Sequence, residues 1–296
     1  NHGSVTSIST LLPTYATVDL TALAHNLSRI KRYLSPGCEI MAIVKANAYG
    51  HGAVEIAQSL ARQGIGQFAV ASLDEGIALR QSGLSASIVI LGALFEEQVP
   101  DLIAHRLTPV VSDGRILPTL AKAVRSQQAP YSIHLKVETG MGRLGFSQEE
   151  LLAVLDNPLL HSPLQVEGMM THLADADGAD SAFTERQLAA FHALLEQIRL
   201  RGLTVPLVHA ANSAAIVRFP AAHFSLVRPG IMLYGYHTLP ATIPDPDLRP
   251  VLSLHTTVAQ LRTIPKGCSV SYNGTFVAKR QTRIAVLPIG YADGYS

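Results

Sequence analysis

Short runs of apolar and β-branched residues alternate with longer amphipathic segments from residue 15 to about residue 235. This alternation is typical of a parallel sheet whose strands are joined by helices. It predicts eight strands, at residues 40–45, 67–71, 88–91, 108–111, 131–137, 164–170, 207–210 and 225–228. Eight such units in about 220 residues match the size and order of a (β/α)8 TIM barrel. We therefore predict an α/β fold whose barrel spans residues 15–240.

Two capping boxes mark helix starts between the predicted strands. In each, a serine caps backbone amides and a glutamate three residues later reaches back. They are Ser72 with Glu75 and Ser147 with Glu150, and a longer amphipathic helix is predicted over residues 184–201. The C-terminal ends of the strands carry the active site in such a barrel, so polar residues after the strands are the candidates for chemistry.

The pattern changes after residue 235, where four prolines cluster before two β-type runs at residues 252–264 and 269–288. A turn signal at Pro265 separates the two runs, and another at Asn273-Gly274 interrupts the second. A second, mostly-β domain is predicted from residue 245 to residue 296, with residues 5–14 packing on it. About fifty residues are few for an independent β domain, so we expect this domain to be incomplete in the chain.

Composition restricts the class of function. Apolar residues make up 48% of the 296-residue chain and charged residues 15%, which indicates a packed globular protein. Lysine and arginine number 23 against 22 aspartates and glutamates, for a net charge of +1. A nucleic-acid binder or an anionic-membrane binder needs a clustered basic surface. Chemistry on small molecules is therefore favoured.

The cysteine count and the N-terminus bear on location. Cys38 and Cys268 form neither a disulfide framework nor a metal-binding spacing, and no histidine pattern indicates a metal site. No apolar run approaches the roughly 18 residues that cross a bilayer. No signal peptide is visible, so a cytoplasmic location is expected, and a periplasmic one stays open if a signal was removed.

Lys45 ends the first predicted barrel strand, inside the segment VKANAYGHG. A lysine there either extends its ammonium group to solvent at the barrel rim or reacts as a Schiff-base lysine, because burial lowers the pKa of an amine. Further candidates follow later strands: Lys136 and Arg143, His172, Asn212 and Ser213, and Arg228, Gly230 and Ile231. Each alone is consistent with an ordinary loop. Together they converge on one rim of the barrel, where Ser213, Gly230 and Ile231 could bind a phosphate.

Five separated motifs together resemble the alanine racemase family, a group of pyridoxal-phosphate (PLP) enzymes with a barrel and a C-terminal β domain. They occur in the family's order and cover residues 15–295. The motifs are VKANAYGHG, KVETGMGRLG, THLADAD, ANSAA with VRPGIMLYG, and SYNGTF with PIGYADGY. The resemblance implies PLP as cofactor and a small amino acid as substrate.

The resemblance also assigns roles around the cofactor. Lys45 would be the Schiff-base lysine, and Arg143 would bind the cofactor's phenolic oxygen or the substrate carboxylate. The phosphate would be bound by Tyr49, Ser213, Gly230 and Ile231, with His172 and Asn212 also at the cofactor. Lys136 matches a position that is carbamylated in some family members, and a simple ion pair is the alternative.

Arg228 would face the pyridine nitrogen of the cofactor. A guanidinium donates a hydrogen bond without giving up its proton, so the ring nitrogen stays largely unprotonated. The cofactor then withdraws electrons less strongly, which favours quick return of the α-proton over transamination or decarboxylation. This chemistry indicates racemisation.

Racemisation needs a base on each face of the planar intermediate. The resemblance assigns Lys45 to one face and Tyr272, from the partner subunit, to the other, with His172 and Arg228 as supports that lower the pKa of the tyrosine. It also implies that Tyr291 of the partner lines the substrate entrance. We therefore expect a homodimer with composite active sites.

The resulting hypothesis is a bacterial enzyme that converts L-alanine to D-alanine for peptidoglycan synthesis. A broad-specificity or serine racemase of the same architecture, or a PLP-binding barrel without catalytic activity, is the alternative. The chain departs from the family's pattern where Phe276 replaces the tyrosine of many relatives. It also ends before the family's last strands, whose residues would complete the substrate pocket.

Overall fold

A computed structural model of the protein describes residues 13–125 and 129–295. The described residues form two compact units. One consists of the residues up to Asp19 together with those from Leu252 onward, and Leu20–Val251 form the other. In the described residues no helix is both long enough and apolar enough to cross a membrane.

The described elements follow one another in a regular order along the chain. The strands are β1 (Thr14–Val18), β2 (Glu39–Ile43), β3 (Gln67–Val70), β4 (Ser87–Ile90), β5 (Thr108–Val111), β6 (Tyr131–Lys136), β7 (Leu164–Met170), β8 (Leu207–His209), β9 (Leu226–Val227), β10 (Leu252–Thr256), β11 (Gln260–Ile264), β12 (Ser269–Val270), β13 (Phe276–Val277) and β14 (Thr282–Val286). The helices are α1 (Leu20–Lys31), α2 (Lys45–Tyr49), α3 (Ala53–Arg62), α4 (Leu73–Gln81), α5 (Val99–Ala104), α6 (Leu117–Val124), α7 (Gln148–Leu155), α8 (Ala182–Leu200) and α9 (Ser213–Arg218).

Strands β2 to β9 form one parallel sheet in the order β8-β7-β6-β5-β4-β3-β2-β9. Its two end strands are joined by backbone hydrogen bonds, from Ser225 to Val208 at 3.2 Å and from Arg228 to Ala211 at 2.9 Å. The sheet is thereby closed into a barrel. The predicted fold class, a (β/α)8 TIM barrel with a mostly-β C-terminal domain, is confirmed.

Apolar side chains fill both sides of the barrel wall, which is why the strands appear in the sequence as short continuous apolar runs. The larger core lies between the strands and the surrounding helices. A smaller cluster, which we call the inner core, consists of Met41, Ile43, Ala69, Val89, Val110, Met170 and Leu226. A polar side chain inside the barrel therefore lies among apolar side chains and must form its hydrogen bonds with other polar side chains or with the backbone.

The predicted helix signals are present. Both capping boxes form, at the starts of α4 and α7. The long predicted helix is α8, which starts two residues earlier and ends one residue earlier than expected. The first barrel strand differs more, because it ends at Ile43 and Lys45 opens the separate turn α2.

The eighth helix of the barrel comes from the N-terminal side of its first strand. In the part of the chain that the structure describes, no α-helix follows β9, where Ile231–Tyr234 form a single 3-10 turn. The fully buried Asn26 of α1 donates to the carbonyls of Leu233 at 3.0 Å and Arg249 at 2.8 Å. Its side-chain oxygen accepts from the backbone N–H of Arg249 at 2.7 Å. These bonds hold α1 against the end of the barrel.

The other unit is built from antiparallel pairs. Strand β1 pairs with β10, β11 with β14, and β12 with β13. Residues 15–18 were predicted to belong to the barrel, but they lie in β1 and pair with β10. Residues 5–12, which were predicted to pack on this unit, lie outside the described residues.

The two long strands predicted in the β unit are interrupted. Residues 252–264 divide into β10 and β11, and residues 269–288 divide into β12, β13 and β14. The turn at Asn273-Gly274 is responsible for one break, because both residues have positive φ angles, 60° and 56°. Such angles end an extended strand and fit a tight hairpin.

Candidate active site

A cavity of about 380 Å³ opens at the C-terminal ends of the barrel strands. Ile43 and Met170, the last residues of β2 and β7, contribute to its walls. All ten site residues predicted from the barrel segment also line it: Lys45, Tyr49, Lys136, Arg143, His172, Asn212, Ser213, Arg228, Gly230 and Ile231. One concave site thus unites residues spread over about 190 positions of sequence, as the end-of-strand rule predicts for this fold.

Lys45 begins a turn of unusual handedness. Ala46, Asn47, Ala48 and Tyr49 all have φ between 52° and 54°, in the left-handed region. L-residues there cost roughly 1–2 kcal/mol each relative to right-handed helix. Such strain persists only where surrounding contacts enforce it, and it concentrates at functional sites.

Glu75 supplies one of these contacts. Its carboxylate accepts from the backbone N–H of Ala46 at 2.6 Å and from those of Ala71 and Ser72 at 2.7 and 3.2 Å. The same glutamate that completes the capping box of α4 therefore also holds the turn after Lys45. Charge-assisted bonds of this kind are stronger than neutral ones.

The far end of the turn is held by short-range bonds. The side-chain oxygen of Asn47 accepts from the N–H of Ala53 at 2.9 Å, at the start of α3. His51 is buried, and its Nδ1 lies 3.0 Å from the carbonyls of Ala48 and Tyr49. The side-chain amine of Lys45 has no hydrogen-bond or ion-pair partner among residues 13–125 and 129–295.

A small polar cradle lies on the β8 and β9 side of the cavity. The Ser213 hydroxyl oxygen accepts from the N–H groups of Gly230 at 2.9 Å and Met232 at 3.4 Å, which leaves its own O–H free to donate. A Cβ on Gly230 would lie 2.6 Å from the Tyr49 hydroxyl, so only glycine leaves this space open. Asn212 caps α9 through a 3.0 Å bond from the N–H of Ala215.

Arg228 is 3% exposed and makes its hydrogen bonds to uncharged acceptors. Nη1 lies 2.9 Å from Nδ1 of His209. Nη2 lies 2.9 and 3.0 Å from the carbonyls of Thr171 and Ala210, and 3.2 Å from Nδ1 of His172. Burial lowers the pKa of Arg228 to about 9, so its guanidinium remains charged at neutral pH.

His172 is neutral at physiological pH. Burial, followed by the charges of Arg228, Lys136, Arg143 and Lys45, lowers its pKa to about 3. Because a guanidinium can only donate, the ring accepts at Nδ1 and carries its proton on Nε2.

The backbone of His172 is fixed from α8 by Gln187, which is 1% exposed. The amide nitrogen of Gln187 donates to the carbonyl of His172 at 3.2 Å, and its oxygen accepts from the N–H of Ala174 at 2.9 Å.

Arg143 lies in the loop that leaves β6. The loop is closed by backbone bonds of 2.8 Å from Phe146 to Lys136 and from Glu138 to Phe146. The Glu138 carboxylate accepts from the Arg143 N–H at 3.2 Å. Burial raises the pKa of Glu138, but hydrogen bonds from four backbone N–H groups of the loop lower it by more, so the carboxylate is charged.

The cavity is strongly positive. Four cationic side chains line it, Lys45, Lys136, Arg143 and Arg228, against the single acidic Asp177. Burial first, and then the charges of Arg143 and Arg228, lower the pKa of Lys136 to about 8 despite an opposing effect of Glu138. A cavity with this charge distribution favours a ligand that carries several negative charges.

The two tyrosines predicted to belong to a partner's site lie in the β unit. Tyr272 is in the loop between β12 and β13 and is 86% exposed, and Tyr291 begins a 3-10 turn and is 88% exposed. Phe276 is the first residue of β13 and is also exposed. In the described residues no group of three or more metal-binding side chains forms a metal site.

Sequence reasoning missed several supporting residues. Glu75 was assigned only a helix cap, and Glu138 was part of a motif without a role of its own. His209 and His134 were not singled out, although a histidine inside a buried apolar strand is a signal of an internal hydrogen bond. Gln187 carried no signal, because its partners become neighbours only in the folded barrel.

Comparison with known proteins identifies the family. A family model described as the alanine racemase N-terminal domain matches residues 18–238, and one described as the alanine racemase C-terminal domain matches residues 251–296. The chain belongs to the alanine racemase family.

Individual relatives agree with this assignment. The alanine racemase of Carboxydothermus hydrogenoformans is 43% identical over 284 residues, which are 96% of this chain and 77% of that protein. The alanine racemase of Sorangium cellulosum is 41% identical over 290 residues, with 96% and 76% of the two chains covered.

Solved structures of alanine racemases share the fold. That of the Clostridium difficile 630 enzyme has a TM-score of 0.89 at 32% identity and covers 97% of this chain and 76% of its own. The Bacillus anthracis alanine racemase with bound L-Ala-P has a TM-score of 0.86 at 34% identity and covers 97% of this chain and 75% of its own. The protein is accordingly an isomerase of this family.

Acid should destabilise the barrel through its buried histidines. Burial, and secondarily the charge of Arg228, lowers the pKa of His134 from 6.5 to about 4. The unfolded chain takes up this proton at a higher pH than the folded chain, so the free energy of unfolding falls as pH decreases from 6.5 to 4. At pH 4 this loss is about 3 kcal/mol, since one pKa unit corresponds to about 1.4 kcal/mol.

The substitution His134→Gln should reduce this loss, because glutamine can accept from His209 and does not titrate. Guanidinium chloride unfolding at a series of pH values, followed by far-UV circular dichroism, measures it. His161→Gln, at an exposed histidine, is the control and should leave the pH dependence unchanged. An equal pH dependence in both variants would contradict the assignment to His134.

Proposed function

We propose that the protein racemises a small amino acid, with alanine as its principal substrate and PLP as its cofactor. The observation that carries the proposal is the convergence of ten separated residues on one positive cavity at the C-terminal ends of the barrel strands. The names of its relatives support alanine as the substrate.

The residues of the cavity fit PLP. A volume of about 380 Å³ is within the range of small-molecule sites. The free O–H of Ser213 and the N–H of Ile231, which has no acceptor among the described residues, would bind the phosphate together with the Tyr49 hydroxyl. None of the described residues accepts from Nε of Arg228, so this donor would bind the ring nitrogen. The side-chain amine of Lys45, which has no partner among the described residues, would form the covalent bond to the cofactor's carbonyl carbon.

Bound PLP would withdraw electrons from the Cα atom of the attached amino acid and so make the Cα proton acidic. Arg228 limits this withdrawal, because its guanidinium donates a hydrogen bond and keeps its own proton. A limited withdrawal favours return of the proton to Cα over protonation elsewhere. It therefore supports racemisation over transamination or decarboxylation.

Two bases would move the proton. The amine of Lys45, when it is not bound to the cofactor, would act on one face of Cα. Tyr272, contributed by a second copy of the chain, acts on the other. His172 would assist, because its Nε2–H can donate to the tyrosine oxygen and stabilise the phenolate.

Arg143 and Lys136 would bind the negative end of the substrate. The charges of Arg143 and Arg228 disfavour the protonated form of Lys136. Lys136 would first release a proton to solvent. Its neutral amine would then form an N–C bond with carbon dioxide and release a second proton to solvent, which gives a carbamate with a negative charge in place of the positive one. The carbamate would then hold the Arg143 guanidinium toward the substrate carboxylate.

We extend the proposal to the biological setting that the family suggests. The protein would be a homodimer with two composite sites, and Tyr291 of each copy would line the substrate entrance of the other. It would act in the bacterial cytoplasm and supply D-alanine for peptidoglycan.

Racemisation is tested by α-proton exchange in D₂O, followed by NMR, with chiral analysis of the same samples. We expect PLP-dependent exchange with inversion of alanine, and much slower inversion of serine, lysine and arginine. Comparable rates with all four would indicate a broad-specificity racemase. Cofactor binding without exchange of any amino acid would indicate a PLP-binding protein without this activity.

In the same assay, Tyr272→Phe should slow inversion by at least about a hundredfold, which is the smallest rate factor that a general acid or base typically contributes. One alanine enantiomer should still exchange its α-proton, because Lys45 still serves one face. Tyr33→Phe, a half-buried tyrosine outside the cavity, is the control. Unchanged inversion in Tyr272→Phe would refute the two-base assignment.

Lys45→Ala should remove the visible absorbance of the lysine-linked cofactor and its covalent fixation by borohydride. Lys122→Ala, at an exposed lysine of α6, should retain both. Mixing inactive Lys45→Ala and Tyr272→Phe subunits should restore roughly one quarter of the activity, because half the dimers are mixed and each has one intact site. No recovery on mixing, with subunit exchange verified, would argue against composite sites.

Carbamylation of Lys136 can be tested without cofactor. Incubation with ¹³C-bicarbonate should give a carbamate carbonyl resonance that is absent in Lys136→Gln and present in Lys45→Ala. The neutral amine is the reactive form, so the signal should grow as pH rises toward the Lys136 pKa of about 8. A signal that persists in Lys136→Gln would assign the modification to another amine.

A further inference from the structure

Behind Arg228, three more side chains continue a line into the barrel interior. His209 joins Arg228 through Nδ1 and lies 2.9 Å from Nδ1 of His134 through its Nε2. Nε2 of His134 then lies 4.0 Å from the carboxylate of Glu167. Both histidines are at most 1% exposed, whereas the Glu167 side chain is 37% exposed. The line therefore connects the cavity, through buried groups, to a solvent-accessible carboxylate.

The position of every proton along this line follows from its first member. A guanidinium only donates, so His209 accepts at Nδ1 and carries its proton on Nε2. That proton is donated to Nδ1 of His134, which leaves the proton of His134 on Nε2. This N–H faces Glu167, and an ionised carboxylate only accepts. All the bonds therefore point from Arg228 toward the carboxylate.

Two features of β7 make room for this arrangement. The pairing of β6 with β7 shifts by one residue, so that Ile133 lies opposite Val166 but His134 lies opposite Gly168. Glu167 is the extra residue of this bulge, a device that redirects side chains near active sites. A Cβ on Gly168 would lie 2.5 Å from the His134 ring, so the ring occupies space that only glycine leaves.

We propose that His134 and Glu167 are positioning residues for the racemisation proposed above, on which this inference rests. The 4.0 Å distance exceeds hydrogen-bond length, so the carboxylate acts through its charge, which favours a proton on the facing nitrogen of His134. That preference keeps His209 an acceptor. If His209 carried its proton on Nδ1, two donors would face each other and the guanidinium would turn away from its present orientation toward the cavity.

The test begins with the protein without cofactor, so that it does not depend on activity. Nitrogen-15 NMR distinguishes protonated from unprotonated imidazole nitrogens, and His134→Gln and His172→Gln serve to assign the signals. In the unsubstituted protein we expect His209 and His134 both to carry the proton on Nε2 alone. A proton on Nδ1 of His209 would overturn the proposal.

Glu167→Gln removes the charge and leaves the shape, and its amide can donate to His134. We expect a mixture of proton positions on both histidines, whereas Glu149→Gln, at an exposed glutamate of α7, should change neither. Proton positions unchanged in Glu167→Gln would overturn the proposal. If Glu167→Gln fails to fold, Glu167→Asp, which keeps the charge, provides the test. It should retain the protons on Nε2 of both histidines, and their loss would refute the role of the Glu167 carboxylate.

The loaded enzyme provides an independent readout. Glu167→Gln should lower kcat for alanine by about tenfold with little change in KM. A tenfold loss is the effect expected when one hydrogen bond to a charged group, here that between Arg228 and His209, is weakened. Glu167→Asp should recover most of that loss, and the visible spectrum of bound cofactor should shift in Glu167→Gln only. Equal kcat and spectra in Glu167→Gln and Glu149→Gln would refute the positioning role.

Absence of racemisation in the unsubstituted protein would instead refute the proposed function, while the proton positions still test the hydrogen-bond chain.

Discussion

A guanidinium buried inside the barrel is the constraint on which the rest of the site depends. Removing a charge from water is costly unless hydrogen bonds replace its hydration. Here two carbonyls and two imidazoles do so, from residues at or just after the ends of β7 and β8. Arg228 itself follows β9, so these bonds form only when the barrel closes. Closure of the fold and assembly of the site are the same event, and the imidazoles must stay neutral because they face a cation.

The reactive end of the site depends on strain of another kind. Lys45 does not extend β2 but starts a left-handed turn, which an all-L sequence without glycine would not adopt alone. The Glu75 carboxylate holds this turn through the Ala46 N–H and is itself fixed by the cap of α4. The position of the lysine is therefore set by the next βα unit, β3 with α4, rather than by its own strand β2. In the proposed function, this separation would let the amine change partners while the strand below it stays packed.

The sequence predicted the eight barrel strands and the cavity residues because both depend on local pattern and on one topological rule. The left-handed turn could not be foreseen, since only Asn47 in it has a tendency toward positive φ. The pairing of β1 with β10 joins residues more than 230 positions apart, which no local pattern reveals. Glu75 has a second role only because α4 lies beside Lys45 in the fold. His134 and His209 each showed a polar residue in an apolar strand, but their contact depends on a bulge that the pattern of β7 does not show.

Charge in the cavity links these parts. Four cations and one acid line it, and the neutrality of His172 results from burial together with those cations. These cations repel one another, and a ligand with a phosphate and a carboxylate would relieve that repulsion. Ligand binding should then stabilise the folded barrel beyond the contacts of the ligand alone. Because Arg228 supplies part of this repulsion and also fixes the imidazoles, it cannot be replaced by a neutral donor without changing both the affinity for anions and the proton positions behind it.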